Sequence, residues 1–146
     1  MRQLTAAVLF LAIVCTAGRA QDDAKTAAKK LEGNYEVTSV AAGGKTDDTK
    51  KAEVKSFVIK DGMITITSRR EETAKFTVDP SKKPAHIDLD AGKDRVMPGI
   101  YETKETEKGL ELTIAFGDGP KAERPKDFKG EDGRTVVIKL LRKKEK

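Results

Sequence analysis

The sequence predicts an all-β fold, an antiparallel eight-stranded up-and-down barrel entered through a short helix. From Tyr35 onward, β-branched and aromatic residues gather in short runs that alternate with polar ones, the period of a half-buried strand. Glycine, proline and aspartate punctuate those runs, and no helical period of comparable length lies between them. Sequential strands with short connections pair as antiparallel neighbours, and eight of them can close so that no edge is left open. A two-sheet sandwich is the alternative, but its immunoglobulin form uses paired cysteines and a tryptophan. This chain has one cysteine and no tryptophan.

The first twenty residues stand apart. Arg2 precedes an apolar run from position 6 to 15 and a small-residue exit, Ala17-Gly18-Arg19-Ala20. This is the layout of a secretory signal peptide, cleaved near Ala20. The run is shorter than the roughly 20 residues of a membrane-crossing helix, and no later run approaches that length, so no transmembrane segment is expected. Cys15 is either an acylated lipoprotein cysteine or one more apolar residue of the signal; the bulky Ile13 and Val14 before it favour the second. Cleavage leaves about 126 residues without a thiol, enough for one domain over 21–146. A periplasmic or extracellular domain without disulfides must be held by its own core.

Residues 21–32 hold Ala24, Ala27, Ala28 and Leu31, good helix formers with Asp22 or Asp23 as caps, enough for one or two turns. The first strand spans 35–40 and stops at Gly43-Gly44, after which 46–52 fits a single capped helical turn. Strands at 54–60 and 63–68 flank Asp61-Gly62, whose residues tolerate the positive φ of a tight hairpin. Strand 73–78 ends at Asp79-Pro80-Ser81, where proline presets a turn. Strands at 84–90, 99–103, 109–117 and 135–142 complete the eight.

Charge is abundant but balanced. Without Arg2 and Arg19, 27 basic residues face 24 acidic ones, with the signs mixed along the chain. Such a surface favours solubility over nucleic-acid affinity, so no nucleic-acid partner is expected. The tail from Lys139 to Lys146 is basic but lacks the interleaved aromatic residues that stack on bases.

Five motifs succeed one another in order: Leu31-Glu32-Gly33-Asn34-Tyr35-Glu36-Val37, Asp79-Pro80-Ser81-Lys82-Lys83-Pro84, Gly99-Ile100-Tyr101-Glu102, Leu110-Glu111-Leu112 and Glu123-Arg124-Pro125-Lys126-Asp127-Phe128. Together they resemble a family of small exported lipocalin-like domains of unknown function, common in planctomycete bacteria. The resemblance implies a lipocalin-like barrel and supplies no reaction and no ligand. It also implies that Gly33 and Tyr35 stand where such barrels carry Gly-x-Trp, with Arg142 of the last strand as the residue packed across the ring to close one end. Tyrosine for tryptophan weakens that stacking, and an exposed arginine in a basic tail is the plainer alternative for Arg142. No counterpart to the carboxy-terminal helix of true lipocalins is expected after the eighth strand.

Chemistry is sparse. His86 is the only histidine and alternates with Ile87 and Leu89, so it shares a face with Asp88 and Asp90. That trio reads either as a metal or acid–base site or as a solvated strand face, and the lack of a second histidine favours the face. Ser39, Ser56, Ser68 and Ser81 lack an elbow motif. The glycine-rich 117–119 and 130–133 do not lead into a helix as phosphate loops do. Asp47-Asp48 and Glu71-Glu72 lack the spacing of a calcium loop. No catalytic residue, metal or cofactor is expected.

The long connection 118–133 is a different matter, because long loops in tightly turned chains tend to bind, cover or wander. Tyr101, Arg124 and Phe128 are the candidate ligand-binding or lid residues: Phe128 either plugs the barrel mouth or pins the loop on the outer wall. The expectation is a monomeric, non-enzymatic binding domain holding a small apolar or amphipathic ligand. The alternative is a cell-envelope interaction module with a solidly packed barrel.

Overall fold

The computed structural model describes residues 17–42, 45–47, 54–93, 95–117, 122–131 and 133–144. Helix α1 (Ala17–Lys30) leads into β1 (Gly33–Ala42), β2 (Lys45–Asp47), β3 (Ser56–Lys60), β4 (Met63–Thr67), β5 (Glu71–Asp79), β6 (Ala85–Asp90), β7 (Val96–Thr106), β8 (Gly109–Gly117) and β9 (Thr135–Lys143). All pairings are antiparallel, and β1 pairs with β9 as well as β3, so eight strands close as an up-and-down barrel. The short β2 continues along the same edge of β1 after β3 has left it, with Val40 opposite Asp47.

The eight predicted strands are present; β1, β5, β7 and β9 run longer than the alternation alone indicates, whereas β3, β4 and β6 are one or two residues shorter. The helical turn expected over 46–52 is not formed at Thr46 and Asp47, which belong to β2; the rest of that segment lies outside the described residues. Unpaired backbone on β1 offers Lys45–Asp47 a ladder, and ladder pairing overrides the local preference for a cap. At the Asp61-Gly62 hairpin, φ is +51° and +74°, the positive pair that such a turn requires.

Helix α1 is longer than one or two turns and begins inside the segment read as an export signal; positions 1–16, Cys15 among them, lie outside the described residues. Ala24, Ala27, Ala28 and Leu31 recur at helical spacing and are its less exposed face, laid over one end of the barrel beside β5. No helix of the described residues is long and apolar enough to cross a membrane.

Inside the barrel, alternation places Phe57, Ile59, Ile64, Phe76, Val78, Ile87, Leu89, Leu112, Ile114, Phe116, Ile138 and Leu140 in one continuous core. In β1 the alternation is interrupted. The register with β9 shifts between Val37 and Ser39, leaving Thr38 as a bulge whose hydroxyl donates to Lys139 O at 3.1 Å. One extra residue reverses the facing of the residues after it. Val40 therefore lies opposite the core residue Ile138 and joins Val37 against the core instead of pointing outward.

Candidate functional site

The two ends of the barrel differ, and the difference starts at Gly33. The chain leaves α1 through Leu31, passes Gly33 at φ +144°, and turns Tyr35 inward, where both Leu31 and Tyr35 are 1% exposed. Tyr35 donates its hydroxyl to Leu31 O at 2.9 Å. Arg142, from the last strand, sets its guanidinium 5.7 Å from the centre of the Tyr35 ring and donates Nη1 to Lys30 O at 3.1 Å and to Glu32 O. Gly33, Tyr35 and Arg142 are thus brought together as one closure. Its chemistry goes beyond ring stacking, because the final carbonyls of a helix lack intrahelical donors and carry partial negative charge. Burial raises the Tyr35 pKa, Arg142 opposes that, and Glu105 adds to it. Around this closed end Ile59, Ile64, Leu112 and Leu140 are each 1% exposed or less.

Segment 122–131 stays on the outside. Phe128 packs against Ile100, Ala115 and Val137, which face away from the barrel interior and form a second, small core with Ala41. Arg124 donates Nη1 to Gly99 O at 2.5 Å and Nη2 to Asp88 Oδ2 at 3.1 Å. Asp88 Oδ1 lies 2.7 Å from Nη1, an ion-pair contact without hydrogen-bond alignment. Both residues are therefore tied to the wall. Phe128 is a buttress there, and Arg124 is committed to Asp88 and Gly99 rather than to a ligand. Tyr101 lies on the opposite, inner side of β7, 7% exposed within the main core, its pKa raised by burial and then by Asp79. The three residues grouped as candidate ligand-binding or lid positions do not converge.

His86, Asp88 and Asp90 share the outer face of β6, as their alternation requires. Burial, then the nearby Arg124 cation, lowers the His86 pKa, against the pull of Asp79 and Asp88. Asp79 is itself held below the usual carboxylate range by Ser81, which donates its hydroxyl at 2.5 Å and its N–H at 3.0 Å. Among the described residues, no group of three or more His, Cys, Asp or Glu is placed to hold a metal.

The other end of the barrel receives the connections after β1, β4, β6 and β8. Ten partly buried apolar residues border the main core, and six of them gather here: Val40, Val54, Ile66, Ala91, Met97 and Val136. Three of the remaining four are small alanines of α1 and β6, so larger apolar side chains meet solvent mainly at this end, opposite α1. Directly across the ladders lie Phe57, Leu89, Phe116 and Ile138, each 8% exposed or less. The result is a rim of half-buried apolar side chains bordering a filled core. Ile66 and Val136 follow the plain alternation of β4 and β9, whereas Val40 is hidden by the bulge and Met97 belongs to the stretch of β7 that extends back beyond Gly99.

No family model, curated protein or solved structure matches this chain.

Proposed function

We propose that this chain is an exported, non-enzymatic binding domain that takes a small apolar or amphipathic ligand at the end of its barrel opposite α1. The observation that carries the reading is the gradient of burial along the barrel. The closed end is sealed by Leu31, Tyr35 and Arg142, whereas Val40, Ile66, Met97 and Val136 keep part of their apolar surface in water. Each such surface left wet forgoes about 25 cal/mol per Å2 of burial, which an apolar guest recovers. The filled middle, with Phe57, Phe76 and Phe116, limits the guest to a short apolar group seated at the rim.

Export rests on the layout of the first twenty residues and on the resemblance to exported lipocalin-like domains. Cleavage after Ala20 removes the first turn of α1 and keeps Ala27, Ala28 and Leu31, the residues that meet the barrel. Lack of catalysis is the reading favoured by His86, which lies on the outer wall and whose neighbour Asp88 is held by Arg124. The competing reading, an envelope interaction module with a packed barrel, is favoured by the continuity of the core.

Native mass spectrometry of the gently purified protein, paired with binding of the apolar dye ANS, separates the two. Retained small molecules, or dye binding lost in Val136→Trp, support the ligand reading. A protein that carries nothing and binds dye equally before and after that substitution supports the module.

A further inference from the structure

The charges around the end of the barrel opposite α1 are sorted by the pleat. Residues directly across an antiparallel ladder share a face, and so do residues two apart in one strand. Lys45 lies across from Ala42, which in turn lies across from the rim residue Val136. Lys55, whose N–H donates to Thr67 O, stands two residues before the core residue Phe57, the ladder partner of Ile66. Arg70 stands two residues before Glu72, which lies across from Ile66. Arg95 accepts the N–H of Ala91 on its carbonyl and stands two residues before Met97. Arg134, two residues before Val136, falls on the same alternation. Each cation therefore sits one step beside or beyond a residue of the apolar rim, on the core side of its strand, and all five residues are exposed.

The acids here are placed differently. Glu71, across from Thr67, and Asp90, across from Val96, belong to the outer face, and Asp90 Oδ1 accepts the N–H of Gly92 at 2.8 Å. Register leaves the inner face Glu72 and Asp47, the latter across from Val40. Among the described residues, five cations and two carboxylates thus stand on the inner face around the rim. The signs that balance over the whole chain do not balance at this mouth. Lysine and arginine lay their stems along apolar surface while their heads reach a charge, so they extend the rim and cap it at once.

Granted the apolar guest proposed above, we infer that its head is anionic: the rim takes a single-chain amphiphile with a carboxylate or comparable monoanionic head. The chain lies over Val40, Ile66, Met97 and Val136, and the head meets the cations that surround them. The filled core keeps the chain at the rim, and this leaves the head at the depth of those side chains.

The test uses the full chain and three probes with the same ten-carbon tail, decanoate, decanol and decyltrimethylammonium, each titrated below the onset of micelles by methyl NMR. Decanoate is expected to bind about tenfold more tightly than decyltrimethylammonium, the factor that two or three modest surface charge contacts supply, with decanol between them. High salt should shrink that difference, because exposed charges are screened. Lys55→Glu combined with Arg95→Glu should reverse the order, with the melting temperature showing that the fold is kept. Equal binding of decanoate and decyltrimethylammonium, or a preference that survives both salt and the double substitution, overturns the anionic head and leaves the apolar guest standing. Binding of none of the three overturns both. Co-sedimentation with phosphatidylglycerol vesicles without binding of free decanoate overturns the single-chain ligand in favour of a membrane surface.

Discussion

Gly33→Ala tests how the closed end is held. A methyl group at Gly33 would collide with Cδ of Arg142, and the three nearest heavy atoms it meets all belong to that side chain. The backbone φ of +144° adds strain of about 1–3 kcal/mol for any L side chain. Displacing Arg142 forfeits its place over Tyr35, roughly 0.5–2 kcal/mol. It also forfeits charge-assisted bonds to two carbonyls, about 1.5–3 kcal/mol between them after allowance for their partial exposure. Gly33→Ala should therefore destabilise by about 3–8 kcal/mol, and Arg142→Ala by about 2–5 kcal/mol. In the Arg142→Ala background the collision is gone, so adding Gly33→Ala should cost only the backbone strain. Urea unfolding of the four proteins of this double-mutant cycle gives the coupling, predicted at about 2 kcal/mol or more. Costs that add to within about 0.5 kcal/mol would refute the view that Gly33 is glycine to seat Arg142.

On the outer wall, Phe128→Ala removes a half-buried ring and should destabilise by about 2 kcal/mol, roughly half the penalty of a fully buried phenylalanine. Limited trypsin digestion should then cut faster at Lys126 and Lys129, while unchanged cutting would argue that Phe128 does not pin the segment. His86 should titrate below the ordinary imidazole value, and Arg124→Met should raise it by removing the nearby cation; NMR titration reads both. Because the folded state disfavours the charged ring, this contribution to stability is complete above the ordinary value and shrinks as pH falls through it. A chain beginning at Gln21 should melt like the full chain, whereas one beginning at Glu32 should be strongly destabilised, since only the second loses Leu31 and its carbonyl partner for Tyr35. Equal melting of all three chains would show that α1 does not close the barrel.

How much of the fold is legible in the sequence depends on how local the physics is. Strand positions and the Asp61-Gly62 turn depend on neighbours in the chain, and they were legible. So was the meeting of Gly33, Tyr35 and Arg142, though through the lipocalin-like pattern rather than through any local rule. The capping of α1 by Arg142 was not, because it joins residues 110 or more apart. Arg124 and Asp88 likewise pair across 36 positions, and nothing in either local sequence announces the other. The bulge at Thr38 concealed Val40, since strict alternation from Tyr35 turns that residue outward. The rim escaped notice for the same reason: it is defined by which end of a closed barrel stays wet.

On this reading the end of the barrel opposite α1 accepts an apolar guest while the closed end stays sealed. Methyl-resolved NMR of the full chain during a titration with decanoate tests it directly. Shifts are expected at Val40, Ile66, Met97 and Val136, with Ile59, Ile64, Leu112 and Leu140 unmoved. Shifts concentrated at the closed end, or none at any concentration below the onset of micelles, would contradict it.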